Sequence, residues 1–151
     1  MKRWSILLFV LAALLAVVGC GGEAQTEPKK ELTETAVYQD FVLVLGEAEY
    51  MDGFVRIHAT YTNNSQEPYY ALSCFAVRAF QDDRQINDVS DINGDEAALI
   101  REIKNGETID VTYVFELQSD SVVEILVGEP TADMDTIGRK TYEKTAENTV
   151  P

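Results

Sequence analysis

Two cysteines and a single histidine are the side chains of this 151-residue sequence most suited to covalent or acid-base chemistry. The first cysteine, Cys20, closes an apolar stretch at residues 5–18 that follows Lys2 and Arg3. A charged start, an apolar stretch and small residues form the layout of a secretory signal peptide. The stretch is shorter than the about 20 apolar residues that a membrane-spanning helix needs, so a spanning helix is the less favoured interpretation.

The residues Val17-Val18-Gly19-Cys20 resemble the lipobox of bacterial lipoproteins. The resemblance implies cleavage between Gly19 and Cys20 and a diacylglyceryl group on the Cys20 sulfur. Its chemistry needs a small residue beside the cleaved bond and a thiolate nucleophile, and two or more acyl chains would give stable anchoring. An ordinary cleavable signal with an incidental cysteine is the alternative. The lipobox predicts a protein held by its N-terminal lipid on the outer face of the bacterial cell membrane.

An acidic segment offers oxygen ligands at a calcium-loop spacing. Asp91, Asn93, Asp95 and Glu102 occupy positions one, three, five and twelve of such a loop. Glu96 stands at the sixth position, where the sharp turn needs glycine, and no flanking helices are evident. The sequence therefore favours a solvated acidic loop and no cofactor beyond the lipid. A calcium-dependent adhesive or sensor domain is the alternative function.

His58 and Cys74 are both expected to be structural. His58 lies on the polar face of a predicted strand, and no nucleophile or orienting carboxylate can be assigned to it from sequence. A zinc site built on histidines has no second histidine to use. Cys74 has no disulfide partner once Cys20 is lipidated, and it is expected to behave as a small core residue. We therefore expect no enzymatic activity. A cell-envelope hydrolase is an alternative function that only the predicted location favours.

Aromatic side chains suggest a binding surface. Phe54, Tyr69 and Tyr70 are predicted either to form an exposed patch of the kind enriched at interfaces or to cap the end of the core. Both interpretations stay open at this point. The tripeptide Asn63-Asn64-Ser65 fits a glycosylation sequon, but a turn is the favoured interpretation.

The net charge of the chain restricts the classes of molecule that it can bind. The formal net charge is −14, and removal of Lys2 and Arg3 with the signal peptide changes it to −16. Such a surface repels nucleic acids and anionic lipid headgroups, and it favours cationic partners or divalent metals. No nucleic-acid binding is expected.

The remaining sequence predicts one domain of short strands. A signal peptide at residues 1–19 and a lipidated, solvated tether at 20–36 precede a sandwich at 37–130 and a tail at 131–151 with one edge strand. Asp52-Gly53 and Asn105-Gly106 are turn signals. The predicted strands lie at 41–45 (ending at Gly46), 55–62, 72–80, 85–89, 109–117, 122–127 and 136–142, with one helical turn within 95–104 and a loose end after 142.

Period-two alternation predicts which side chains point inward. For the segment 72–80 we favour an inward set with Phe75 over one with Cys74, because the latter continues to Arg78. The predicted inward residues are Val55, Ile57, Ala59 and Tyr61; Phe75, Val77 and Ala79; Ile109, Val111, Tyr113, Phe115 and Leu117; and Val123, Ile125 and Val127. The fold class is all-β, an antiparallel β-sandwich of about seven short strands.

Three runs, at residues 58–65, 75–82 and 103–108, resemble an immunoglobulin-like domain of unknown function in lipoproteins of Gram-positive bacteria. The resemblance covers about residues 37–130. Asp83 stands where that family usually has glycine, and Asn105 where it usually has proline. The family has no established catalytic residues, so the resemblance implies an extracellular binding module whose partner is a protein or a cell-wall ligand. It does not indicate an oligomeric state.

Overall fold

The computed structural model of the chain describes residues 31–93 and 96–150. The lipobox with Gly19 and Cys20 lies outside the described residues, and so does Asp95. Within the described ranges, no helix is long and apolar enough to cross a membrane.

Ten strands and three short helices make up the described chain, and they form an antiparallel sandwich. This confirms the predicted all-β sandwich. The strands are β1 (Thr35–Tyr38), β2 (Phe41–Met51), β3 (Phe54–Asn63), β4 (Tyr69–Tyr70), β5 (Ala76–Gln81), β6 (Arg84–Ile86), β7 (Glu102–Ile103), β8 (Thr108–Glu116), β9 (Val123–Gly128) and β10 (Thr136–Tyr142). The helices are a 3-10 helix (Ala71–Ser73), α1 (Ser90–Asn93) and α2 (Glu96–Ile100).

Two four-stranded sheets enclose the core. The first has the order β1-β2-β3-β8, the second has the order β10-β9-β5-β6, and β4 pairs with β7 as a separate ribbon. All pairings between these strands are antiparallel. The inward sets predicted for β3 and β9 are fully buried. In β8 the prediction also holds, and Leu117, one residue beyond the strand, is only partly buried.

The prediction that the first apolar strand ends at Gly46 is wrong. β2 continues to Met51, and the pairing register with β3 shifts between Leu45 and Ala48. The break in the apolar pattern at Gly46 therefore marks a β-bulge within one strand and not the end of that strand. A Cβ atom on Gly46 would lie 3.0 Å from the His58 carbonyl oxygen, so the close approach of the strands favours glycine here.

Side chains of β10 bond to the bulge from the second sheet. Lys140 Nζ donates to the carbonyl oxygens of Leu45 (3.1 Å) and Gly46 (2.7 Å), and the Tyr142 hydroxyl donates to Gly46 (3.0 Å). These bonds satisfy two carbonyl groups at the bulge. They tie β10 to the first sheet.

The sandwich extends beyond its predicted limits at both ends of the chain. Thr35 and Ala36, which the sequence placed in the tether, belong to β1, and Ala36 is fully buried. The tail does not stay loose after β10, because the backbone N–H of Tyr50 donates to Asn148 (2.7 Å) and that of Val150 donates to Tyr50 (2.8 Å). At both ends the chain joins the sandwich through backbone hydrogen bonds that lie outside the alternating apolar segments. Hydrophobic periodicity does not predict such bonds, so the predicted sandwich was too short.

Two further differences come from connections that cross between the sheets. Val114, expected on the polar face of β8, is fully buried, because Ser90 Oγ accepts its N–H at 2.9 Å and Val89 N–H bonds its carbonyl at 2.8 Å. Cys74 is buried together with Phe75, since the 3-10 helix turns the chain inward just before β5 begins. The favoured inward set of β5 otherwise holds, with Val77 partly buried against the core.

Candidate functional site

The two ends of the sandwich differ, and we name them here. The aromatic end consists of residues 64–75, 100–107 and 129–135, which follow or precede the strand ends at Asn63, Ala76 and Gly128. Ala76 pairs with Gly128, so the last of these loops begins beside the start of β5. The polar end consists of residues 51–54, 81–87 and 117–122 at the opposite ends of the same strands.

Asn63 organises the aromatic end. Its side chain is fully buried, and its Nδ2 donates to the carbonyl oxygens of Glu67 (2.9 Å) and Ile103 (2.8 Å). Its Oδ1 accepts from the backbone N–H (2.9 Å) and the hydroxyl (2.7 Å) of Ser65. Both hydrogens of the amide are therefore used inside the fold, which supports the turn interpretation of Asn63-Asn64-Ser65 over glycosylation. The same bonds hold the loop that leads to β4.

A series of aromatic rings connects the core to the surface at this end. The ring centroids of Phe75 and Tyr61 lie 6.0 Å apart, those of Tyr61 and Phe41 lie 6.2 Å apart, and those of Phe41 and Tyr69 lie 5.0 Å apart. Phe41, Tyr61 and Phe75 are buried, whereas Tyr69 is 44% exposed. Tyr69 thus covers the end of the core with one side and faces solvent with the other. Both predicted roles for this ring, cap and surface, are present.

Three further apolar side chains join Tyr69 in what we call the apolar patch. Tyr70 is 46% exposed, Leu72 is 59% exposed and Ile100 is 51% exposed. Tyr70 pairs with Glu102 across the β4–β7 ribbon, and the 3-10 helix that carries Leu72 packs against α2, which ends at Ile100. The four side chains of the patch therefore lie on neighbouring elements, namely the β4–β7 ribbon, the 3-10 helix and the end of α2. Sequence reasoning missed Leu72 and Ile100, because a 3-10 turn and a five-residue helix are too short to show a period.

Phe54 does not join the apolar patch. It starts β3, whereas the aromatic end follows Asn63 at the other end of that ten-residue strand. At about 3.3 Å per residue, the strand places roughly 30 Å between its ends. The predicted surface of Phe54, Tyr69 and Tyr70 is thus divided between the two ends of the sandwich, and only the tyrosines belong to one site.

Carboxylates outnumber cations at the aromatic end. Its three segments contain Glu67, Glu102, Glu107, Glu129, Asp133 and Asp135 against Arg101 and Lys104. Arg101 pairs with Glu107, with 2.7 Å between their closest N and O atoms. The backbone N–H of Lys104 donates to the same carboxylate and, as the largest cause, lowers the pKa of Glu107. Among the described residues, no ion pair holds the other five carboxylates.

The acidic segment does not have the shape of a calcium loop where the structure describes it. Asp91 is exposed in α1, Asn93 ends that helix, and Glu102 is exposed in β7. α2 occupies the middle of the twelve-residue spacing, where a calcium loop is not helical. Within residues 31–93 and 96–150, no group of three or more His, Cys, Asp or Glu side chains is placed to hold a metal ion.

His58 lies on the outer face of the first sheet. Its Nε2 is 3.4 Å from Oε1 of Glu49, and Oε2 of the same carboxylate accepts from Arg56 NH1 at 3.1 Å. Glu49 could not be predicted as a neighbour of His58, because the β2 bulge shifts the pairing register between Leu45 and Ala48. All three side chains are about one-third or more exposed, so Arg56 and Glu49 form a surface ion pair of small energy and His58 lies beside it.

Cys74 is a buried hydrogen-bond acceptor. The Tyr61 hydroxyl donates to its Sγ at 3.1 Å, and 1% of Cys74 is exposed. Burial raises the pKa of the Cys74 thiol, and the bond from Tyr61 opposes this only partly. A protonated, inaccessible thiol is a poor nucleophile. The structure thus places Cys74 in the core, as its residue type predicts, although the inward set favoured for residues 72–80 left it out.

Gln81 organises the polar end. It is buried, its Nε2 donates to the carbonyl oxygens of Ser119 (3.1 Å) and Ser121 (2.9 Å), and its Oε1 accepts from Gln118 N–H at 2.8 Å. The neighbouring β5–β6 turn has Asp82 and Asp83 at φ values of 49° and 61°. These are the left-handed conformations of a two-residue hairpin, which aspartate tolerates, so Asp83 replaces the usual glycine there without loss of the turn.

Comparisons with known proteins agree with this fold. A family model described as "Domain of unknown function (DUF5067)" matches residues 22–129. A solved structure described as "a putative lipoprotein" from Staphylococcus aureus is 15% identical with a TM-score of 0.57, over 75% of this chain and 90% of that one. No curated protein sequence matches the chain.

Two further solved structures match the chain at low identity. "A putative lipoprotein" from Bacillus subtilis is 10% identical with a TM-score of 0.52, over 78% of this chain but only 40% of that one. An "uncharacterized beta-sandwich protein" from Clostridium difficile is 16% identical with a TM-score of 0.49, over 79% of this chain and 100% of that one. The first two likenesses establish a shared sandwich fold, in proteins described as lipoproteins of Gram-positive bacteria.

Proposed function

The chain belongs to the family of the domain of unknown function DUF5067, and on this premise we propose that it is a lipid-anchored, non-catalytic binding module. Its immunoglobulin-like sandwich stands on the outer face of a bacterial cell membrane and binds a partner through the aromatic end.

The N-terminal residues support the anchor. Val17-Val18-Gly19-Cys20 follows an uncharged apolar stretch, as in a lipobox, and structural relatives are described as lipoproteins. The first described hydrogen bond of the sandwich uses the carbonyl of Thr33. About a dozen residues of the sequence therefore separate Cys20 from the fold.

The strand order supports the immunoglobulin-like assignment. In the first sheet, β2, β3 and β8 follow the order of strands A, B and E of that fold, and in the second, β5, β9 and β10 follow the order C, F and G. The connection from β3 to β5 then corresponds to the B–C loop, and residues 129–135 correspond to the F–G loop. These two loops lie together at the aromatic end, which is the end that variable domains use for binding.

The apolar patch is the observation that carries the binding role. Tyr69, Tyr70, Leu72 and Ile100 hold between 44% and 59% of their surface in solvent, and within the described part of the chain nothing covers them. A cluster of exposed aromatic and aliphatic side chains that is rimmed by polar groups is typical of an interaction site. His58 lies beside the Arg56–Glu49 pair on the sheet surface and Cys74 lies in the core, and the proposal assigns neither a catalytic role.

Metabolic labelling with palmitate tests the anchor. We expect the wild-type chain to take up label and to stay with the membrane, and the Cys20→Ala variant to lose both properties. A labelled, membrane-bound Cys20→Ala variant would contradict the anchor.

Chemical crosslinking on intact cells tests the binding role. The anchored wild-type chain should give a discrete crosslinked product that the Leu72→Ser variant loses and the Val122→Ser variant keeps, because Val122 is 41% exposed at the polar end. A product that is equally strong in all three proteins would place binding elsewhere on the molecule.

A further inference from the structure

The charged side chains around the apolar patch indicate the kind of partner that it fits. We propose that the patch binds a basic, amphipathic protein segment, in which lysine or arginine adjoins apolar side chains. This inference rests on the proposed function and specifies the chemistry of the same site.

The exposed apolar area requires an apolar component in the partner. Leu72 and Ile100 each leave more than half of their surface in water, and Tyr70 contributes a ring beside them. Burial of such side chains contributes about 25 cal/mol for each Å² removed from water. A partner with charged groups alone would not bury these side chains, and binding would lack this favourable free energy.

The surrounding carboxylates require a cationic component. Glu102 lies opposite Tyr70 in the β4–β7 ribbon, Glu67 lies two residues before Tyr69, and both are exposed. Asp133 and Asp135 are exposed in the loop that begins beside the start of β5, at the same end of the sandwich. No cation pairs with these four side chains among the described residues, so a partner's lysine or arginine meets carboxylates that are still free.

The charge of the whole chain acts in the same direction. The net charge of −16 that remains after loss of Lys2 and Arg3 attracts cations from a distance and raises their rate of encounter. It also opposes anionic lipid headgroups and a second copy of the same chain as occupants of the patch. A basic protein segment satisfies both the apolar and the electrostatic requirement.

Peptide binding in solution tests the partner's chemistry separately from the existence of a cellular partner. The chain from Gly21 onward is suitable, because residues from Glu31 onward form one compact unit. The probes are three short peptides of equal length: alternating lysine and leucine, alternating glutamate and leucine, and lysine alone. Fluorescence anisotropy of a label on each peptide gives its Kd.

We expect the lysine–leucine peptide to bind at least about fivefold more tightly than the other two, with a Kd that rises as salt is added. Leu72→Ser or Tyr70→Ser should raise its Kd about fivefold, while Val122→Ser should leave it unchanged. Glu102→Gln should weaken binding about twofold, and Asp120→Asn at the polar end should not.

Equal binding of the glutamate–leucine peptide, equal binding of lysine alone, or an equal loss in Val122→Ser would overturn the proposal. A Leu72-dependent crosslink in cells together with no preference for the basic peptide would reject the partner's chemistry and leave the binding role in place. A preference for the basic peptide with no Leu72-dependent crosslink would instead reject the cellular binding role.

Discussion

Gln81 at the polar end and Asn63 at the aromatic end are both buried amides, yet the segments that they hold differ in what they show to solvent. Gln81 bonds residues 118–121, a short turn of polar side chains that needs nothing further. Asn63 bonds the loop to β4 and the carbonyl of Ile103 in β7, and β4 carries two of the exposed side chains of the apolar patch. A buried amide therefore holds a polar turn at one end and supports an exposed apolar surface at the other.

The difference lies in apolar surface and not in charge. The polar end has Asp52, Asp82, Asp83 and Asp120 against Arg84, so it too is acidic. Its exposed large apolar side chain in the described chain is Val122, whereas the aromatic end has four. An acidic surface alone keeps the protein soluble. The added apolar patch is what marks the aromatic end for binding.

Removal of either buried amide should have the largest effect on stability. Asn63→Ala and Gln81→Ala each leave buried donors and acceptors without partners, so each should lower the free energy of unfolding by roughly 3 kcal/mol in urea titrations. Only Asn63→Ala should also weaken the binding of the lysine–leucine peptide, because it alone removes the support of β4. Asn64→Ala, with its side chain exposed, is the matched control and should change stability by less than about 0.5 kcal/mol. Loss of peptide binding in Gln81→Ala as well would erase the contrast between the ends.

Alkaline titration should test whether water is excluded equally from the buried tyrosines near the two ends of the sandwich. Burial raises the pKa of Tyr50, near the polar end, to about 12, and it raises the pKa of Tyr61, near the aromatic end, even further. The unfolded chain ionises tyrosine near pH 10, so the contribution to stability is complete below about pH 10 and is lost as the pH rises through the folded values.

Comparison of the tyrosinate absorbance of the wild type with that of the Tyr50→Phe and Tyr61→Phe variants assigns each ionisation step to one ring. Each wild-type ring should ionise only together with unfolding. Ionisation of Tyr61 in the still folded protein, below the pH at which Tyr50 ionises, would show that water reaches the core through the aromatic end.

The smallest expected effect separates a docking surface from a core cap. Leu72→Ser should change the free energy of unfolding by less than about 0.5 kcal/mol, as Val122→Ser should, because both side chains are largely exposed. A core leucine would cost about 2–5 kcal/mol on truncation. A loss of that size for Leu72→Ser in thermal or urea unfolding would assign the side chain to the core and remove it from the patch.

The sequence predicted the long strands and not the substructures between them. β3, β8 and β9 carry strict alternation, so their inward faces follow from period two alone. Gly46 looked like a strand end, because a bulge and a terminus give the same local break in the pattern. Val114 looked exposed, because its cover comes from residues 89–90, which cross from the other sheet.

The candidate site was predictable only in part for the same reason. Tyr69 and Tyr70 stood out by residue type, and the strand predicted at residues 55–62 already separated Phe54 from them, so the three-ring surface disagreed with the predicted strands themselves. Leu72 and Ile100 join the patch through a 3-10 turn and a short helix, whose few residues contain no periodic signal. Asn63 looked like a turn residue, and its four hydrogen bonds depend on the distant Ile103 as well as on its own loop.

A site-specific photocrosslinker on the anchored protein in intact cells tests the central claim most directly. One copy of the chain carries the crosslinker in place of Leu72 and another carries it in place of Val122, so that each end is probed by an exposed apolar position. We predict a discrete product from position 72 that an excess of the lysine–leucine peptide suppresses, and no such product from position 122. Products of equal yield from both positions, or from position 122 alone, would contradict the account that the aromatic end is the binding surface.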